Sequence, residues 1–302
     1  MNFSIIPIFV LFILSLVSAT LMGISRTYYA KNIAVKQSDY YFQSAIVSVI
    51  CAFVLFMLSS FSVQMSLYTF LLSIGFGMVT MFQSVLLVKA TSIGPWSYTT
   101  VITSASTVLT ALSGFAFWNE GLGFFKIVGI VLMMGCFTFS VEKKEDEKKA
   151  SVKWLTYCLF VIVLSTGVGI MQKIHQRSSH KDELWAFLIL AFFISALFSG
   201  FLYMVERKKE QHKAFTIEEK QNKQIWKVFF LFVVIGSMTA LVNAVNLYLS
   251  GVVESALFFP IVNGGTLMLS IVSAFIIFKE KLDKRQWFGL ILGIVAVFCL
   301  CI

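Results

Sequence analysis

The sequence predicts an all-α membrane protein of ten transmembrane helices, arranged as two inverted five-helix repeats. Three observations predict it: a composition too apolar for a water-soluble core, ten apolar runs divided by charged gaps, and an ungapped internal repeat at an offset of 160 residues. Of 302 residues, 58% are hydrophobic and 13% charged, against about 45–50% and 25% in soluble domains. The bilayer must then be the solvent, and each spanning helix needs about 20 mostly apolar residues.

The runs follow in order along the chain. The first, 4–24, resembles a secretory leader only in its apolarity; it has no basic segment before it and no small-residue cleavage site, and is kept as a span. The second covers 40–59. The third, 67–88, carries Gln83 and Ser84, and the fourth, 94–117, opens with Pro95, Trp96 and Tyr98 and places Thr99, Thr103, Thr107 and Thr110 on one face. The fifth is 124–141, the sixth 154–172 and the seventh 184–205. The eighth, 226–248, continues a polar stripe at i, i+4, i+7 and i+11 through Thr239, Asn243, Asn246 and Ser250. The ninth, 255–278, contains Pro260 followed by Asn263, Gly264 and Gly265; proline removes a backbone donor and clashes with the preceding turn, so a kinked or unwound stretch is expected there. The tenth is 286–302.

Nearly every charge lies between the runs, in line with a cost of about 2.5–3.5 kcal/mol for a charge at a helix centre on insertion scales. Arg26, Lys89, Glu120, Lys173, Glu254 and Glu280 are read as helix-end residues, with no ionisable group at depth. Twenty of the 24 Lys and Arg fall in the gaps after odd-numbered spans. By the positive-inside bias those gaps are cytoplasmic and both termini lie outside the cytoplasm. The +9 net charge is thus topology information and no sign of nucleic-acid binding. The chain divides into a first five-helix unit at 1–141, a charged cytoplasmic linker at 142–153 and a second unit at 154–302, with a cytoplasmic insertion at 206–226.

The repeat sets Glu120-Gly-Leu122, Lys126 and Gly129 over Glu280-Lys-Leu282, Gln286 and Gly289. Further back, Ser106, Thr110 and Gly114 lie over Thr266, Ser270 and Ala274, and Gln83 and Thr103 over Asn243 and Asn263. Coincidences among Glu, Gly and amides carry weight that matches among apolar letters do not. An odd number of spans per unit turns the second copy upside down relative to the first. On these residues the chain resembles the drug/metabolite transporter superfamily, specifically its ten-helix EamA-type members, over essentially its whole length. It departs from them at Asn119 and Lys279, where the family often has Gly, and in the insertion before the eighth span. The resemblance implies a small-molecule carrier, often an exporter.

Polar residues inside spans need a protein partner or a wet cavity. Gln83, Ser84, Trp96, Tyr98, Thr103, Asn243, Asn246, Pro260 and Asn263 are accordingly the candidate substrate-binding residues. Amides binding neighbouring helices as structural glue, and aromatics anchoring helix ends, are the competing readings. Inverted repeats place a solute site near mid-depth between the halves. With no buried charge, a small neutral, zwitterionic or amphipathic metabolite is the expected partner, beside the lipid bilayer; no nucleic acid is expected. Catalysis, metal binding and a cofactor are not expected: the five Cys and three His show no ligand spacing, no nucleophile stands beside a base, and no phosphate-binding loop occurs. The predicted location is the plasma membrane, specifically a bacterial inner membrane. A non-transporting scaffold or sensor is the alternative function, favoured only by the charged loops.

Overall fold

Inside a bilayer the backbone finds no water to bond, so a spanning segment satisfies its own N–H and C=O groups by coiling into a helix. The computed structural model describes residues 3–33, 36–59, 64–93, 99, 102–140, 151–211, 225–277 and 284–302. Among them are α1 (Ile8–Asn32), α2 (Gln37–Leu58), α3 (Leu67–Ile93), α4 (Ala105–Trp118), α5 (Phe124–Ser140), α6 (Val152–Arg177), α7 (Leu184–Gln211), α8 (Ile225–Val252), α9 (Ser255–Ile277) and α10 (Lys284–Cys301). Short 3-10 turns occupy Phe3–Ile5 and Lys181–Glu183, and the described residues contain no strand. Of these helices α1, α2, α3, α6, α7, α8 and α10 are long and apolar enough to cross a membrane, while α4, α5 and α9 supply shorter apolar stretches. Pro95, Trp96, Tyr98, Glu280, most of the linker and the centre of the insertion lie outside the described residues.

The helices pair across the two halves more than within them. The most extensive contacts join α5 to α10 and α2 to α7, followed by α1 with α8, α3 with α6, α3 with α7, α2 with α8, and α4 with α9. Exchanging the first five helices for the last five, each in order, maps this set of pairings onto itself. One apolar cluster gathers around Phe76, Phe187, Leu188, Leu247 and Phe258, a second around Met133, Cys136, Phe137, Ala296 and Leu300. Around both lies a shell of exposed large residues such as Phe9, Phe230, Ile294 and Phe298, the side chains a lipid solvent would cover.

Two expectations are corrected here. The apolar run that ends at residue 172 continues as helix to Arg177, because the last turn is packed in protein: Lys173 and His175 are both fully buried. The expected unwinding after Pro260 does not occur. Helix α9 runs unbroken through it, since the ring removes only the one bond that its N–H would have given to the carbonyl of Ala256, and the flanking turns hold.

Close approach of helix backbones needs small residues at the crossing. At Gly77 a Cβ would stand 2.5 Å from the backbone oxygen of Ala191, which cannot swing away as a side chain could. Gly77→Val should therefore lower stability by about 1–3 kcal/mol, the usual cost of overpacking, seen as a lower apparent Tm in detergent with the helix content unchanged.

Candidate functional site

Between the halves lies a cavity of about 490 Å³, walled by α3, α4, α5, α6, α8 and α9. The helical period of about 100° per residue decides which side chains reach it. On α3 the residues one turn apart, Gln83 and Leu87, line it; on α8 they are Asn243 and Asn246; on α9 they are Phe259, Asn263, Thr266 and Ser270. Thr107 and Thr110 supply the α4 wall, and Thr103 lines the cavity from just before that helix. Two candidate residues, Ser84 beside Gln83 and Pro260 beside Phe259, are not in the wall. Trp96 and Tyr98 lie outside the described residues.

Sequence reasoning missed the sixth helix. Ser165, Gly169 and Gln172 line the cavity from α6, and their i, i+4, i+7 spacing is the signal that marked the eighth helix. Gly169 is small of necessity: a Cβ there would fall 2.9 Å from the Phe259 ring and closer still to Thr110.

The polar wall is bonded in a consistent way. Three side chains bridge the halves. The Gln83 amide donates to Ser165 Oγ at 3.2 Å, the Asn263 amide donates to Thr107 Oγ1 at 3.0 Å, and Ser15 Oγ donates to Asn246 Oδ1 at 2.5 Å. Asn243 turns its amide back to the Thr239 carbonyl at 2.9 Å. Thr103, Ser106, Thr110, Thr266 and Ser270 each donate their hydroxyl proton to a backbone carbonyl three or four residues earlier in the chain. A hydroxyl has one proton and two lone pairs, so these oxygens meet the cavity as acceptors. Among the described residues no charged side chain lines it.

One turn away, at the end of the bundle where α4 and α6 finish and α9 begins, is a buried ion pair. Asn119 adopts the left-handed conformation (φ 52°) that ends α4, and the following Glu120 folds back so that its N–H donates to the Gly114 carbonyl at 3.2 Å. Its carboxylate accepts from Lys173 Nζ on α6 and, at 2.8 Å, from the backbone N–H of Ser255 at the start of α9. Lys173 also donates to Ser255 Oγ at 2.5 Å and lies 5.3 Å from the centre of the Trp118 ring. Arg177 reaches the same carboxylate at 3.5 Å. The side chains of Lys173 and Glu120 are 1% and 7% exposed, so the expectation of no buried charge is corrected. Both are helix-end residues in sequence, yet the fold wraps three helices over them.

Beyond this pair a second hollow of about 940 Å³ opens, lined by Gln176, Arg177, Lys181, Asp182, Trp185 and Tyr248 among others. Removing one member of a buried pair leaves the other charge uncompensated, at a cost of about 3–5 kcal/mol, while replacing both is far milder. Lys173→Met should therefore be strongly destabilised in thermal unfolding, and the double variant Lys173→Met/Glu120→Gln should recover most of the loss.

Comparison with known proteins agrees with this architecture. The model of the EamA-like transporter family matches residues 152–302. An uncharacterized protein of Haemophilus influenzae is 22% identical over 202 residues, which are 65% of this chain and 62% of the relative; the match thus spans less than two thirds of that relative's length. A protein of known crystal structure superposes with a TM-score of 0.76 at 9% identity, over 96% of this chain and 94% of its own, a likeness of fold alone.

Proposed function

Since the chain belongs to the EamA-like transporter family and is a multi-pass membrane protein by its apolar helices, we propose that it is a secondary carrier exporting small neutral, zwitterionic or amphipathic metabolites by alternating access. The observation that carries this reading is the cavity between the halves, lined by amides and by hydroxyls that present acceptors. Acceptor walls favour solutes that bring donors, such as amine, amide or hydroxyl groups. Strongly anionic solutes such as sugar phosphates would meet no cation in the described wall and are disfavoured. Gln83, Thr103, Asn243, Asn246 and Asn263 are the proposed binding residues.

In this reading ten helices span the membrane as two inverted units, with both termini outside the cytoplasm. The exchange symmetry of the helix pairings supports the repeat, and the placement of twenty of 24 basic residues supports the orientation. The proposed membrane is the plasma membrane, specifically a bacterial inner membrane. Three of the wall's hydrogen bonds cross between the halves, so rocking one half against the other would remake the wall itself.

Counterflow of radiolabelled solutes in proteoliposomes tests the proposal. One lost hydrogen bond to a solute is worth about 1–1.5 kcal/mol, or about tenfold in affinity. Gln83→Leu and Asn243→Leu should each reduce exchange by about that factor with expression unchanged, and full exchange in both variants would remove these residues from the site.

A further inference from the structure

The buried ion pair stands next to the residues of both hollows: Lys173 follows Gln172 of the cavity wall, and Arg177 of the outer hollow reaches the Glu120 carboxylate. On α6 the order runs from cavity through the pair to hollow, and on α4 and α9 the residues that meet the pair lie about one turn from the cavity wall. Along α6, Gly169 and Gln172 line the cavity, Lys173 follows, and Gln176 and Arg177 line the hollow beyond. Along α4, Thr110 lines the cavity, Gly114 comes one turn later, and Glu120 folds back onto it. Along α9, Phe259 lines the cavity and Ser255 lies one turn before it.

The packing around the pair leaves little slack. A Cβ at Gly114 would come within 2.7 Å of Ser255 Cβ and closer to the Glu120 carboxylate. The carboxylate comes from the first half of the chain, whereas the ammonium, the hydroxyl and the backbone N–H that hold it come from the second. Away from the pair the cavity reaches Leu87, Thr103 and Ser270, toward the other end of the bundle. At that end Trp154 Nε1 donates to Thr99 Oγ1 at 2.8 Å and Arg285 donates to the Thr138 carbonyl at 2.9 Å.

We infer that Glu120, Lys173 and Ser255 form a gate that shuts the cavity off from the hollow lined by Arg177. The inference rests on the proposed carrier function and adds to it the residues that close one face. Neither charge lines the cavity, so the gate residues act on access and not on solute binding. Opening this face requires the halves to part at Glu120, and the parted charges then need water. The hollow on the far side provides it, with Arg177 already bridging the two: its guanidinium touches Glu120 and lines the hollow. The neighbouring Lys126–Glu254 pair, partly exposed on the same end, joins the start of α5 to the turn before α9 and leaves the gate carboxylate to Lys173. In the conformation described the gate is closed.

The test uses an impermeant maleimide on proteoliposomes of full-length protein carrying Cys299→Ser and Cys301→Ser, the remaining three cysteines being buried. A Ser179→Cys chain, at an exposed position in the hollow, marks that side of the membrane. Ser165→Cys reports on the cavity. With the gate intact, the Ser165→Cys reporter should be labelled from the side opposite Ser179. Adding Glu120→Gln/Lys173→Met should raise labelling from the Ser179 side about tenfold, and Ser255→Ala alone about threefold, as closed-state population is lost. If the double variant is not recovered as a monodisperse protein, Ser255→Ala decides. A reporter labelled from neither side in any chain would overturn the wet cavity and with it the carrier reading. A reporter labelled from the opposite side, with labelling from the Ser179 side unchanged in the gate variants, would overturn the gate and leave the carrier reading standing.

Discussion

Every polar group in this fold answers to one constraint: the hydrocarbon around it can neither donate nor accept a hydrogen bond. The consequences run from backbone to site. Backbone groups are absorbed by helices, and serine and threonine protons by carbonyls a turn earlier in the same helix. What remains are groups that one helix cannot satisfy alone. The carboxamides of Gln83, Asn246 and Asn263 find partners on the opposite half, and Glu120 finds its own on α6 and α9. Polar residues therefore fix how the halves meet, while the apolar clusters around Phe187 and Met133 fill the space behind them.

The two kinds of polar contact have different strengths. A neutral amide-to-hydroxyl bond contributes about 0.5–1.5 kcal/mol net, which a solute with its own donors and acceptors can replace. A buried ion pair resists separation by several kcal/mol unless water reaches it. The weak bonds line the cavity and the strong one stands at its end. That order suits a carrier, in which the binding wall must exchange partners readily and a closure must hold.

Much of this was legible in the sequence because hydropathy and helical period are local properties. The apolar helices follow from hydropathy; of the stripe Thr239, Asn243, Asn246 and Ser250, the two amides reach the cavity wall, as do Thr103, Thr107 and Thr110 of the threonine face. Ser165 and Gln172 carry the same spacing, but Gln172 is the last residue of its run at 154–172, where a polar side chain reads as a boundary. Ser84 stands beside Gln83 in the sequence, but only Gln83 is in the cavity wall. The buried pair was not legible. Lys173 is the first residue after its run, and its partner lies 53 positions away, so only the packing of three helix ends reveals that the pair is buried. Of the kinked or unwound stretch expected at Pro260, unwinding is absent, since whether a helix unwinds around one missing bond depends on the packing that holds the flanking turns.

The central claim is that a polar, water-filled hollow lies between the halves at a depth where lipid surrounds the outside of the same helices. Spin-label accessibility in a bilayer addresses it directly, with one label at Thr107 on the cavity face of α4 and one at Phe115 on its exposed face. The account predicts that a water-soluble nickel relaxant reaches the Thr107→Cys label while the Phe115→Cys label responds only to lipid-dissolved oxygen. Exclusion of the nickel relaxant from both positions, with oxygen reaching each, would contradict it.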